Sequence, residues 1–436
     1  MSRALLIAAL LLALPARASL LDTYGFGARG TAMANASTAP SEDYEAVFYN
    51  PANLIARKEV HFGYGLNWVA PMLTIDRRQT DSTWESVVPE DNLVVHAGIS
   101  VPWGGVFERK VSFGAALLLP LLRLTRVESI DWHVPQFSLY ENVPDKLALL
   151  LGVAYEPIPE LRLGVGVQIL AELQGAARVS MSLLDNRVTS RDIRLDVFGA
   201  AAPTAGVTVL PVPELRIAAS YRAALSLDYA LPVQVVVEEI GNLDIVIRGV
   251  SLYTPHHLTL GVSYLTPVAL TVSAELGWAM WSLAPSPAVD VHVTLDDSAL
   301  VHGQAGGTVA DLIRVDSPAV DMGARDILSP RVGLEWVANE LVTVRGGYAF
   351  RPTPLPAPVH QTNFIDSPAH TTSLGASFTF ADPLEHHRKP LTVGIALQWT
   401  LLEERAVDKP DPNDPVGDYT AGGSIFNLGI DFSHDF

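Results

Sequence analysis

Six ionisable residues stand on the small-residue side of otherwise apolar stretches: Arg162, Glu172, Arg222, Glu275, Arg345 and Arg351. Acids and bases placed this way can form a hydrated network or hold an ion. A guanidinium binds a carboxylate through two parallel hydrogen bonds, so Arg345 or Arg351 is the candidate contact for the carboxylate of a ligand. Catalysis has less support. Ser433, His434 and Asp435 are consecutive, and consecutive side chains on a strand point to opposite faces, so they do not make a triad. The adjacent pairs His256-His257 and His386-His387 are poor chelates for the same reason. With 0 cysteines there is no thiolate nucleophile, thiolate metal site or disulfide framework. No glycine stretch has the spacing of a phosphate loop. The expectation is a binding protein rather than an enzyme, with no cofactor and no metal.

These residues need elements to hold them, and the elements alternate. In VHFGYGLNW, Val60, Phe62, Tyr64, Leu66 and Trp68 share one face against His61, Gly63, Gly65 and Asn67. The same period of two runs through LRLGVGVQILAEL from Leu161, LTVSAELGWAM from Leu270, LVTVRGGYAFR from Leu341, LTVGIALQWTL from Leu391 and SIFNLGIDFSHDF at the end. Alternation over about ten residues means a strand with one apolar face, and soluble strands usually have only about five or six residues. Aromatic residues fall near the strand ends: Trp68, Tyr155, Tyr221, Tyr264, Trp336, Tyr348, Trp399 and Phe436. Connectors alternate too. Those at 156–160, 210–214, 265–269 and 337–340 are tight, whereas 76–92, 120–146, 174–192, 222–257, 281–330, 351–372 and 402–424 are long and polar or proline-rich.

Long strands, aromatic girdles and alternating short and long connectors are the plan of a transmembrane β-barrel. Strands are expected near 60–75, 93–103, 111–119, 147–155, 161–173, 193–209, 215–221, 258–264, 270–280, 331–336, 341–350, 373–380, 391–401 and 425–436. That is an all-β antiparallel barrel of about 14 strands, an even number as closure expects. Closure requires the last strand to pair with the first, because an open edge in lipid strands backbone N–H and C=O groups. VQVVVEEIGNLDIVIRG, within 222–257, alternates and is expected as a hairpin above the barrel.

Composition agrees. Hydrophobic residues make up 49% and charged residues 17%, with a net charge of −18, which opposes nucleic-acid binding. Arg3, the apolar run Ala4–Leu14 and Ala16-Arg17-Ala18 have the form of a secretory signal over residues 1–18. Beyond it no run approaches the roughly 18 apolar residues of a spanning helix. Residues 19–59 do not alternate and are rich in small residues. A barrel of this size encloses more volume than its side chains fill, so 19–59 is expected to plug the lumen of a 60–436 barrel.

GFGARGTAMANAS, followed by AVFYNPANLI with Asn50, Pro51 and Ala52, resembles the hatch of the FadL family of outer-membrane transporters for long-chain fatty acids and other hydrophobic compounds. The likeness continues through LRIAASYRAAL, LTLGVSYLTPVALTVSAELGWAMWS, SPRVGLEW, LVTVRGGYAFRPTPLP, TTSLGASFTF and GDYTAGGSIFNLGIDFSHDF, and covers most of the chain from about residue 24. Loops 120–146 and 281–330 are this chain's own. The resemblance implies passive uptake: capture outside, binding above the hatch and sideways exit through the barrel wall into the bilayer. The expected location is a Gram-negative outer membrane, as a monomer in contact with membrane lipid; acidic loops such as 408–418 are the candidates for lipopolysaccharide contacts, and the alternating strand that ends at Phe436 resembles the signal recognised by the barrel-assembly machinery. Candidate ligand contacts are Phe26, Met33, Phe48 and Tyr49 of the hatch, Leu121, Leu122, Phe137 and Tyr140 of an outer loop, and Arg345 or Arg351. The strand at 111–119, with Gly114 and running into Pro120, is the candidate for the wall opening, because proline lacks the ladder N–H. An adhesive or structural barrel and an open porin are the competing readings, and the plug opposes the porin.

Overall fold

The computed structural model describes residues 23–78, 86–122, 133–140, 147–182, 187–237, 241–285, 290–296, 314–316, 321–358, 362–381, 389–411 and 413–436. The signal segment and His386-His387 lie outside these residues. Eighteen strands follow in chain order: β1 His61–Arg77, β2 Asn92–Trp103, β3 Val111–Pro120, β4 Leu147–Ile158, β5 Leu161–Ser182, β6 Arg187–Val212, β7 Leu215–Arg222, β8 Leu225–Val237 and β9 Gly241–Thr254. Then come β10 His257–Leu265, β11 Leu270–Ala279, β12 Asp290–Asp296, β13 Arg314–Asp316, β14 Ile327–Val337, β15 Val342–Arg351, β16 Ala369–Phe380, β17 Leu391–Val407 and β18 Tyr419–Asp435.

Fourteen of these close a transmembrane barrel: β1–β7, β10, β11 and β14–β18. Each strand of the wall pairs antiparallel with the next, β7 passing to β10 and β11 to β14. The seam is long. His61 faces Asp435 at one end of β1 and Arg77 faces Tyr419 at the other. The Phe436 N–H donates to the Val60 carbonyl at 2.8 Å, so the chain end is stitched to the first strand. The side-chain period is two, so one register fixes both faces. On β1, Phe62, Tyr64, Leu66 and Trp68 are exposed to the outside while His61 and Asn67 are buried inside. Outward aromatics form two rings: Trp103, Tyr155, Tyr264, Trp336 and Phe378 toward the short-turn end, and Tyr221, Trp278, Tyr348 and Trp399 toward the long-loop end.

Beyond the wall, β8 and β9 form the hairpin expected from VQVVVEEIGNLDIVIRG, and β12 joins it through β9. Several expectations are corrected: residues 402–407 and 419–424, expected as loop, belong to β17 and β18. Residues 174–182 and 187–192 are not loop but the continuation of β5 and β6, which stay paired from Leu161↔Val209 to Ser182↔Arg187. Their polar residues do not alternate as wall strands do, because above the membrane neither face needs to be apolar. A break in β3 is also not found. Its ladder to β2 reaches Pro120 without a register shift, and its ladder to β4 ends at Leu118↔Ala148, before the residue that lacks an N–H.

Residues 23–60 fold inside the barrel around two short helices, α1 (Gly27–Ala32) and α2 (Ala46–Tyr49), and a 3-10 turn, Pro51–Ile55. The wall makes room for this hatch with glycine. A Cβ at Gly164 would run into the backbone of Pro51 and Ala52, one at Gly347 into the backbone of Met33 and Ala34, and one at Gly206 into Asn50. Gly27 adds a conformational reason: its φ of +72° favours glycine, and the Glu45 carboxyl fills the space a side chain would need. Asn50 is fully buried. Its amide donates to the Thr38 carbonyl at 3.1 Å and to Thr208 Oγ1 at 2.9 Å, and its Oδ1 accepts from Ala52 N–H at 3.1 Å. An Asn50→Ala variant is expected to lose about 2 kcal/mol of hatch anchoring by leaving such groups unpaired. The check is limited proteolysis from the short-turn side: the hatch should be cut faster while the barrel stays intact. Equal cutting rates would remove Asn50 as an anchor.

Candidate ligand cavity above the hatch

The hatch divides the lumen into two unlike spaces. Toward the short-turn end lies a polar cavity of about 260 Å³ lined by Arg29, Glu42, Glu45, Arg57, Glu335 and Arg345, among others. Arg29 grips Glu335 by two bonds, Nε to Oε2 at 2.7 Å and Nη2 to Oε1 at 2.8 Å, joining hatch to wall. Arg345 adds a bond from Nε to the same Oε2 at 2.6 Å and donates to Ser377 Oγ. Two further wall carboxylates take hatch N–H groups: Asp431 from Ala28 and Glu275 from Thr38. Within the hatch, burial pushes the Glu45 carboxyl well above the usual carboxylate range, with Asp43 and Asp431 adding to the rise, and Glu45 accepts from Gly30 N–H at 3.0 Å.

Toward the long-loop end, a smaller and mainly apolar cavity of about 80 Å³ lies between hatch, wall and loops. Ala34 and Asn35 of the hatch form its floor; Leu139, Ala279, Trp281, Ile327 and Phe350 supply apolar wall. Ala34 and Asn35 both have left-handed φ, +50° and +65°, and for alanine this is an uncommon conformation that turns the chain under the cavity. The roof is a stapled pair of loop segments, 133–140 and 362–368. Gln136 N–H donates to the Asn363 carbonyl at 3.1 Å, Ile365 N–H donates to the Gln136 carbonyl at 2.8 Å, and Asn363 Nδ2 donates to the His133 carbonyl at 2.7 Å. Tyr24, Phe137, Tyr140, Trp281, Phe364 and Ile365 pack as one cluster beneath and beside that roof. At the end of β15, Arg351 forms a two-pronged pair with the fully buried Asp366, at 2.9 and 2.8 Å, and also donates to the Tyr140 hydroxyl.

The residues singled out by sequence do not all meet here. Tyr140 and Arg351 line the upper cavity, and Phe137 packs beside it. Phe26, Phe48 and Tyr49 lie within the hatch: Phe26 packs edge-on to Phe48 at 6.1 Å, Arg222 covers the Phe48 ring at 4.1 Å, and the Tyr49 hydroxyl donates to Asn35 Oδ1 at 2.9 Å. Met33 is seated against Gly333 and Gly347 of the wall. Arg345 faces the lower cavity. Leu121 and Leu122 are 51% and 58% exposed at the top of β3 and do not line the cavity. Asn50, Pro51 and Ala52 meet wall glycines, as described above. Of the consecutive residues at the chain end, Asp435 pairs with His61 at 2.7 Å and Arg57 at 2.9 Å, not with His434.

Cavity residues that the sequence reading passed over are Trp281, Arg331 and Gln398. Trp281 follows β11 in a turn of 3-10 helix, outside any alternating run. Arg331 and Gln398 sit on inward positions of β14 and β17, and Gln398 stands on the small-residue side of LTVGIALQWTL, where its place was legible but its lack of charge hid it.

No family model matches the chain. A stretch of 105 residues is 31% identical to alkane uptake protein A of Marinobacter nauticus, covering 24% of this chain and 23% of that protein. Solved structures match almost end to end. A Pseudomonas aeruginosa FadL homologue aligns with a TM-score of 0.58 at 14% identity, over 94% of this chain and 97% of its own. The P. putida toluene transporter TodX gives 0.57 at 16% identity over 95% and 99%. The Ralstonia pickettii toluene transporter TbuX gives 0.54 at 17% identity over 95% and 99%. The chain therefore shares the fold of these solved structures.

Proposed function

We propose that this chain is a FadL-like outer-membrane transporter for the passive uptake of hydrophobic compounds, fatty acids or hydrocarbons among them. The observation that carries the reading is the asymmetry of the plugged lumen. A small apolar cavity roofed by loops lies on one side of the hatch, and a larger polar one lies on the other. An apolar solute gains by entering the first and gains nothing from the second, since transfer favours apolar surroundings. Ligand enters from the long-loop side, where Leu121 and Leu122 offer exposed apolar surface for first capture, settles against Trp281 and Tyr140, and leaves sideways. Sideways exit is supported by the shape of the wall beside the hatch. Gly114 and Gly152 turn no side chain inward and meet Leu54 of the hatch, while an apolar groove of about 530 Å³ lined by Phe113, Leu151 and Val165 lies outside them. There the wall is little more than backbone.

At about 80 Å³ the cavity is below the roughly 300 Å³ of a typical ligand pocket, so a long chain must lift part of the roof. Arg351 and Arg331 are the guanidinium groups that line the cavity, and an acid would have to share them with Asp366 and Glu275. Names of similar proteins point the same way: alkane uptake and toluene transport concern apolar solutes without a carboxylate.

The test is an uptake assay in an outer-membrane-permeability background with radiolabelled toluene, alkane and long-chain fatty acid, with mass spectrometry of what copurifies with the barrel. An Ala279→Phe variant, which fills the cavity from a strand position, is expected to cut both uptake and copurifying ligand by tenfold or more with the barrel still folded. Unchanged uptake in this variant overturns the cavity as the ligand site; no uptake by the wild type, or a large steady ion conductance, overturns the transporter reading in favour of an adhesive barrel or a porin.

A further inference from the structure

Among the polar side chains that line the upper cavity, Gln398 stands apart. It is 2% exposed, and its side-chain nitrogen is buried without a hydrogen-bond partner among the described residues. Its neighbours in the cavity are engaged. Arg351 is held by Asp366, Arg331 faces Glu275 with 4.0 Å between Nη1 and Oε2, and Thr371 and Thr400 bond each other at 2.9 Å. The lining guanidinium groups thus each face a carboxylate, while a neutral amide is left with capacity to spare. Buried polar groups are ordinarily paired, and an unpaired one is costly. An occupant that supplies the missing partner gains this energy back; a plain hydrocarbon cannot. A half-turn of the amide exchanges its oxygen and nitrogen, so it serves a ketone or ester oxygen in one orientation and a hydroxyl in the other.

We infer that Gln398 makes the cavity selective for neutral hydrocarbons carrying one hydrogen-bonding oxygen, such as ketones, alcohols and esters, over plain hydrocarbons of equal length. This rests on the reading of the cavity as the ligand site. The position suits the role. Gln398 lies on β17 opposite Ser373 and Asn427, within the stretch Leu391–Leu402 that pairs without a register shift on both sides, so its backbone is fixed and its amide is presented from a strand rather than a loop.

The experiment uses the full-length barrel in lipid nanodiscs, as wild type and as Gln398→Leu, with n-octane and carbonyl-labelled 2-octanone as probes. Binding is referred to empty nanodiscs to remove partition into lipid. The wild type is expected to favour the ketone over the alkane by about 3- to 10-fold, the range of one neutral hydrogen bond. In Gln398→Leu the preference should vanish, and the infrared carbonyl band of the bound ketone should return to its position in an apolar solvent. An unchanged preference or an unchanged band in Gln398→Leu overturns the assignment of Gln398 while leaving the cavity as the ligand site. Octane binding that Ala279→Phe does not reduce overturns the cavity reading itself, and the selectivity with it.

Discussion

Replacing Glu335 with leucine loosens the hatch and turns a plugged barrel into a conducting one. Glu335 receives two bonds from Arg29 of the hatch and one from Arg345 of the wall. The Arg29 and Glu335 side chains are 16% and 12% exposed, so water does little to screen the pair. Removing one member of a buried ion cluster strands the others, at about 3–5 kcal/mol, whereas an exposed pair would cost under about 1 kcal/mol. The Glu335→Leu barrel should remain closed, because its ladders do not depend on this side chain. Its planar-bilayer conductance should rise well above that of the wild type, with faster proteolysis of residues 23–60. Removing all three charges together, as Arg29→Leu, Glu335→Leu and Arg345→Met, should recover much of the loss, since apolar replacement of a whole buried cluster is often neutral. A Glu335→Leu protein with wild-type conductance and wild-type protease resistance would show that the glycine seats hold the hatch without the ion cluster.

The barrel was legible in the sequence because lipid outside and small or polar residues inside impose a strict period of two on each wall strand. Strands from LRLGVGVQILAEL and LTVGIALQWTL fall where that period puts them, and so does the closure of β1 on β18. The period carries no information where lipid does not act, which is why the upper parts of β5 and β6 read as loop. The hatch was legible as a non-alternating, small-residue segment, but not its interior. Phe26, Phe48 and Tyr49 are the aromatic residues one would assign to an apolar ligand, yet a plug must also have a core, and the same residue types serve both needs. The cavity is assembled from Ala34, Tyr140, Trp281, Arg331, Arg351 and Gln398, contributed by the hatch, two loops and three strands. No local pattern joins positions so far apart. Charge made Arg345 and Arg351 conspicuous, and their different heights on the one strand β15 set the first against the lower cavity and the second against the upper.

Locking the hatch to the wall should leave uptake nearly unchanged. The chain has 0 cysteines, so a double variant, Thr38→Cys with Gly261→Cys, carries a single possible disulfide. A Cβ built at Gly261 lies 3.4 Å from Thr38 Cβ, close to the spacing of a disulfide. The expectation follows from the size of the anchoring. Arg29 to Glu335, Ala28 to Asp431, Thr38 to Glu275, Asn50 to Thr208 and Ser373 to Ala32 are all bonds between hatch and wall. At about 1–3 kcal/mol for each buried group left unpaired, withdrawing the hatch costs more than the roughly 8 kcal/mol released by a ligand that binds with micromolar affinity. One molecule of ligand cannot drive that withdrawal, whereas opening the thin wall near Gly114 and Gly152 leaves those bonds in place. Oxidised and reduced double variants should therefore take up toluene or alkane within about twofold of each other and of the wild type, a change no larger than half a kcal/mol. A tenfold fall on oxidation that reduction reverses would mean that the hatch moves in every transport cycle, and the route would run through the lumen instead of through the wall.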